Sequence, residues 1–213
     1  MPPERIRRIL PPDTALTWEA IAPIVPPAAY LGGGTAIAVH LAHRVSRDLG
    51  FFSTITASIW TSWPTSCPRP GRSRSPNARP ARSTACSAPP GCSSCTRTRY
   101  ARNGSTQVDG LHIAQISDLV AMTLKVAGDR GELRDYFDLM TIEQQTGRTV
   151  DEGLALFIER FQPEYPDQAI SHILLGLGYF DDVDPDETLP IPRQQIVDYW
   201  TRRQREVIAA RSR

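Results

Sequence analysis

Between Asp48 and Asp109 the chain contains no Asp and no Glu, and that interval limits what the whole can fold into. Residues 49–108 carry eight Arg and no acid, whereas the remainder holds 16 basic and 23 acidic residues, so a net charge of +1 hides two different compositions. The interval also contains all four cysteines and is dominated by Ser, Thr, Pro and Arg, with no apolar run at the period of a strand or a helix. It does not read as a core-forming segment. A fold must therefore be built from the flanks, in a chain whose 213 residues suit one domain, or a domain with a small appendage. The apolar runs are far short of the ~20 residues a spanning helix needs, and the start has no signal-peptide core. The expectation is a soluble cytoplasmic protein without membrane contact.

The flanks have regular patterns. Before the interval, Leu16 to Val25 reads as a short helix, residues 28–31 as a strand, Gly32 to Gly34 as a turn, Thr35 to about His43 as a helix, and the run ending in Phe51 and Phe52 as a strand. After it, Ser117 can cap a helix reaching about Gly128, and a second helix spans about Glu132 to Gln145. Thr149 and Glu152 have capping-box spacing. Further helices are expected over Gln168 to Leu177 and Arg193 to Ala210.

Several chemical readings of single features are weak. Cys92 and Cys95 have zinc-ligand spacing, but Cys86 and Cys67 do not extend it and no His lies nearby. Nothing marks secretion, so free thiols are expected rather than a disulfide framework. The arginines of residues 60–106 could bind RNA electrostatically, without the regular aromatics of a stacking platform. His40 and His43, at one helix end, are expected as ordinary structural or surface histidines, and His112 and His172 likewise. Asp182 begins a D-x-D-x-D run, but Glu187 stands where a calcium loop needs Gly and Arg193 where it needs its closing Glu. A glycine turn that opens a helix can cradle phosphate, because backbone N–H groups and the positive helix end face the anion.

Residues 30–53, YLGGGTAIAVHLAHRVSRDLGFFS, resemble the AbiEii/AbiGii toxin family of nucleotidyltransferases, whose members read approximately GGTALAL and then HR-x-S-x-DLDFF. Residues 117–140, SDLVAMTLKVAGDRGELRDYFDLM, resemble the family's helical block ending in RDxxDL. With weaker similarity in the helical tail, the resemblance covers residues 28–53 and 109 to about 165. It implies an α/β (α+β) fold: a nucleotidyltransferase-like mixed sheet with helices in residues 1–108, and a helical C-terminal region in residues 109–213. It also implies transfer of a nucleotide from an NTP to an RNA acceptor, tRNA in characterised cases, by the toxin of a toxin–antitoxin pair with a cognate antitoxin protein. In such a site Asp48 binds Mg²⁺ and is catalytic with Lys125 and Asp138. Gly33, Gly34, Thr35, Ser46 and Arg134 hold the nucleotide.

The chain departs from the family at two places. Carboxylates at i and i+2 of a strand share a face and can hold Mg²⁺ together, but Asp48 is followed at that spacing by Gly50. The family's helix lysine falls on Thr123, and Lys125, about 200° further round, can replace it only through its long stem. The resemblance also vanishes over residues 54–107, where the composition is aberrant. We read that stretch as an out-of-frame translation that is expected to be disordered. The alternative to an enzyme is an inactive remnant of the family that at most binds a partner.

Overall fold

The computed structural model describes residues 3–53, 96–97 and 104–211. The zinc and disulfide readings rest on residues outside these and the RNA-binding reading mostly so; of residues 54–107, expected to be disordered, 54–95 and 98–103 lie outside them, whereas residues 96–97 and 105–107 lie in strands, contrary to the expectation. The fold is α/β (α+β), a mixed sheet with helices followed by a helical C-terminal part.

Two short helices open the chain, α1 (Glu4–Ile9) and α2 (Pro12–Ile21). Pro12 starts α2, where a missing N–H costs nothing, so this helix begins and ends earlier than the apolar spacing from Leu16 suggests. Strand β1 (Ala29–Gly32), buried at every position, leads directly into α3 (Gly33–Leu41), and β2 (Gly50–Ser53) returns antiparallel to β1 with Gly32 opposite Gly50. The short β3 (Thr96–Arg97) lies parallel to β2 at one edge. β4 (Ser105–Val108) and β5 (Leu111–Ala114) form a hairpin, and β5 runs parallel to β1, giving the order β3-β2-β1-β5-β4.

The hairpin turn is Asp109-Gly110, with φ of 46° and 83°, the positive pair that a two-residue turn between twisted strands requires. The expected boundary at residue 108 therefore falls inside this hairpin. The sheet ends at Ala114, and the helical part begins only with α4 (Ile116–Arg130). Among the described residues the sheet and the helices share one core. One apolar cluster runs from Ile6 through the sheet to Val207.

The remaining helices are α5 (Leu133–Thr146), α6 (Val150–Phe161), α7 (Pro166–Gly178) and α8 (Arg193–Arg211). Among the described residues none is long and apolar enough to cross a membrane. Glu152 N–H donates to the Thr149 hydroxyl at 3.3 Å and Thr149 N–H to the Glu152 carboxylate at 3.1 Å, the capping box that the spacing predicts for α6. Helix α4 starts after Gln115 with no side-chain cap, so Ser117 does not have the expected role. α4 packs against α5, α6 and α7, and α8 closes over α5 and α7, where the Trp200 indole N–H donates to Tyr136 O at 2.9 Å.

An ion pair deep in the core ties the sheet to the helices. Arg160 of α6 donates to Asp118 of α4, both side chains fully buried, and at 2.7 Å to the Tyr30 hydroxyl of β1. Burying a charge is tolerable only with such pairing, so this contact fixes how α4 and α6 lie on the strand.

Candidate functional site around the glycine turn

The turn between β1 and α3 is where backbone conformation is most constrained. Gly33 has φ of 68°, a region that favours glycine, and a Cβ there would meet nothing within 4 Å. Gly34 is constrained by proximity instead. A Cβ on it would overlap Nη2 of Arg44 and approach Asp138 Oδ2 at 3.2 Å. No side chain caps α3, so the first N–H groups of this nine-residue helix are left to other partners.

Residues 42–49 form a loop pinned at several points beside that turn. Ser46 N–H donates to Ile9 O at 2.8 Å and the Thr14 hydroxyl to Arg47 O at 3.1 Å, which accounts for the two N-terminal helices. Thr35, buried in α3, donates to the backbone carbonyl of Asp48, and its hydroxyl lies 2.7 Å from that of Ser46. Thr35 and Ser46 thus brace the loop against α3. From Leu49 the chain alternates: Leu49 and Phe51 are buried, and Asp48 and Gly50 face the other way, towards solvent.

Two side chains converge on Asp138 of α5 through three hydrogen bonds. Arg44 Nε donates to Oδ1 at 2.6 Å and Nη2 to Oδ2 at 2.7 Å, the parallel fork geometry of an arginine–carboxylate pair. His43 Nε2 lies 2.6 Å from Oδ1, which makes Nε2–H the tautomer present. The side chains of His43, Arg44 and Asp138 are 2%, 7% and 1% exposed, so the imidazole and the carboxylate are closed to bulk water and Arg44 alone keeps a small exposed part. Burial works against the Arg44 charge, but the hydrogen bonds and charge of Asp138 outweigh it and hold the guanidinium above its ordinary pKa. His43 Nδ1 is buried without a hydrogen-bond partner among the described residues, and its ring stacks at 5.5 Å on Phe137.

The expected site residues separate into two groups. Gly33, Gly34, Thr35, Ser46, Asp48 and Asp138 come together through this turn and loop. Lys125 does not: it is on an exposed face of α4, where its ammonium pairs with Asp129 at 2.6 Å. Thr123, at the position of the family's lysine, is buried and donates back to Leu119 O at 2.8 Å. Arg134 pairs with Glu132 at 2.5 Å, outside the hydrogen-bonded cluster, although its charge and that of Arg44 both help to lower the pKa of Asp186. The largest contributions to Asp186 are burial, which raises it, and two hydrogen bonds from Thr188, which lower it.

Asp138 already has most of its accepting capacity in use. Three N–H groups already occupy its two oxygens. His43 and Arg44 are the residues sequence reasoning missed. His43 reads as an ordinary helix-end histidine, and only the adjacency of His43 and Arg44, two hydrogen-bond donors just past the end of an apolar helix, hints at a buried carboxylate partner.

The Mg²⁺ that the resemblance implies can be tested against these side chains. Asp48 is exposed and its carboxylate has no partner among the described residues, but the same strand face offers only Gly50 as its neighbour. Among the described residues no group of three or more His, Cys, Asp or Glu could hold a metal. One carboxylate fits an ion shared with bound phosphates, and it does not fit a resident or two-ion centre.

No family model matches the chain, and no curated protein matches it. Among solved structures it is similar to that of JHP933 from Helicobacter pylori, with a TM-score of 0.52 and 14% identity over 97% of this chain and 93% of that one. At that identity the likeness shows a shared fold.

Proposed function

We propose that this chain is a nucleotidyltransferase-like toxin, one that binds an NTP at the glycine turn and transfers a nucleotide to an RNA acceptor, with tRNA the leading candidate. The observation that carries the reading is a convergence in space. His43 and Arg44 of the first resembling block grip Asp138 of the second, 94 and 95 residues away, directly beside Gly34. Nothing in the local pattern of either block requires them to touch, whereas a common site does.

In this reading the uncapped N–H groups of α3 receive the phosphates, and Gly33 leaves the space in front of them open. Thr35 and Ser46 hold the loop that carries Asp48 against the start of α3. Mg²⁺ carried in with the triphosphate would neutralise phosphate charge, with Asp48 as its protein ligand. A cytoplasmic toxin of this kind would be controlled by an antitoxin protein.

A second reading is favoured by Gly50 and Thr123: an inactive member of the same kind that still binds nucleotide. Purified protein incubated with Mg²⁺, α-labelled NTPs and tRNA separates the two. The toxin reading expects label on the RNA, lost in Asp48→Ala. The inactive reading expects none from the natural sequence and recovery, or binding alone, in Gly50→Asp. Absence of both transfer and nucleotide binding in the two folded proteins rules out either form.

A further inference from the structure

Asp138 is the residue that the family resemblance would place in the chemistry, yet its surroundings give it another task. Its oxygens accept from Arg44 Nε, Arg44 Nη2 and His43 Nε2, and at 1% exposure it has no open side from which a substrate could reach it. Arg44 is different. A guanidinium has five N–H groups. Two are spent on Asp138 and a third, on Nη1, points at Val45 O over a long 3.3 Å. The remaining N–H groups belong to a guanidinium that lies against Gly34, where a Cβ would overlap it, in the first turn of α3.

We infer that Arg44 is the side chain that contacts the triphosphate, and that Asp138 and His43 are positioning residues acting through it. The inference rests on the reading of the glycine turn as a phosphate site. The physical argument is one of orientation. A free arginine samples many rotamers, whereas one held by a bidentate carboxylate has its plane fixed, and its unused N–H groups keep one direction without further loss of entropy on binding. His43 holds the carboxylate in turn. Its Nε2 supplies the third hydrogen bond, and its Nδ1 is buried without a partner among the described residues. Gly34 follows as a requirement of the same arrangement, because any larger residue would push the guanidinium off the turn.

The test is a double-variant cycle read by calorimetric titration with tripolyphosphate, which has the phosphates of an NTP and no nucleoside. Arg44→Lys and Asp138→Asn are each expected to weaken binding at least tenfold at a temperature where both are folded. The double variant is expected to bind no worse than Arg44→Lys alone, since Asp138 acts only through Arg44. Arg8→Gln, which removes an exposed charge paired with Glu4, should match the unmodified protein. A purely structural role for Asp138 would lower the melting temperature and leave the dissociation constant of the folded protein unchanged.

Multiplicative losses in the double variant would overturn the inference, because they give Asp138 a contact of its own. So would failure of the unmodified protein to bind tripolyphosphate. If Asp138→Asn does not fold, His43→Gln combined with Arg44→Lys makes the same cycle. Binding that follows the expected cycle, without nucleotide transfer to any RNA, would leave the inference standing and remove the toxin reading.

Discussion

Among the described residues two arginine–aspartate pairs are buried, and they differ in what surrounds them. Arg160 and Asp118 are both completely inaccessible and Arg160 also donates to the Tyr30 hydroxyl, so the pair joins two helices to the central strand. Arg44 and Asp138 are nearly as buried, but they border a loop, an uncapped helix start and a glycine with free space in front. The chemistry is the same, and the position relative to the sheet decides its use. The first pair sits within the layered core, where only packing can profit from it. The second lies where β1 ends and α3 begins, a position from which backbone N–H groups can reach a ligand. Burial alone would not tell a structural pair from a functional one.

Breaking the first pair should have the largest effect. Asp118→Ala or Arg160→Ala strands a charge in the core, at a cost of about 3–5 kcal/mol in unfolding free energy, measurable by urea denaturation. Asp138→Asn should cost less, about 1–3 kcal/mol, because the amide still accepts one hydrogen bond, but its effect on phosphate affinity should be large. Gly34→Ala sharpens the contrast further. Its Cβ must displace Arg44, so affinity should fall at a stability cost of about 1–3 kcal/mol, whereas no comparable glycine guards Arg160.

The smallest expected effect is one of pH. Burial, the leading cause, pushes the carboxyl of Asp135, three residues before Asp138, up to about 6 from its ordinary value near 4. An acid whose folded pKa is raised favours folding while protonated, so its contribution is complete below about pH 4 and is lost as pH rises through about 6. Asp135→Asn keeps an acceptor for the Glu132 N–H and removes the titration. Relative to the unmodified protein it should gain up to about 3 kcal/mol between pH 4 and 7, and pH-dependent thermal melts of both proteins would show the difference.

How much of this was legible in the sequence depended on how far apart the interacting residues lie. The α6 capping box joins Thr149 to Glu152 and was readable from spacing, as were the strand into Phe51 and Phe52, the glycine turn and the helix after it, because each is set by its near neighbours. The β4–β5 hairpin carried its own signal in Asp109-Gly110. Ser105 to Val108 buries no side chain fully, however, so no alternation marked the strand, and the edge of the acid-free interval suggested a boundary there instead. Lys125 failed as a site residue for a reason the helical period already contained: it projects from the face opposite Thr123. Arg44 and His43 could not be assigned, because their partner is more than 90 residues away and only the packing of α3 on α5 brings them to it. The resemblance pointed to Asp138, and the structure adds what the sequence did not show, that its carboxylate is held by Arg44 and His43.

The measurement that bears most directly on the account compares Asp118→Asn with Asp138→Asn in titrations with an NTP, at a temperature low enough that both are folded. The account predicts that Asp118→Asn, though the less stable protein, binds within about twofold of the unmodified chain, and that Asp138→Asn, the more stable of the two, binds at least tenfold more weakly. Affinity that simply follows stability across the two variants would contradict it, and would leave Arg44 and Asp138 as a second structural pair.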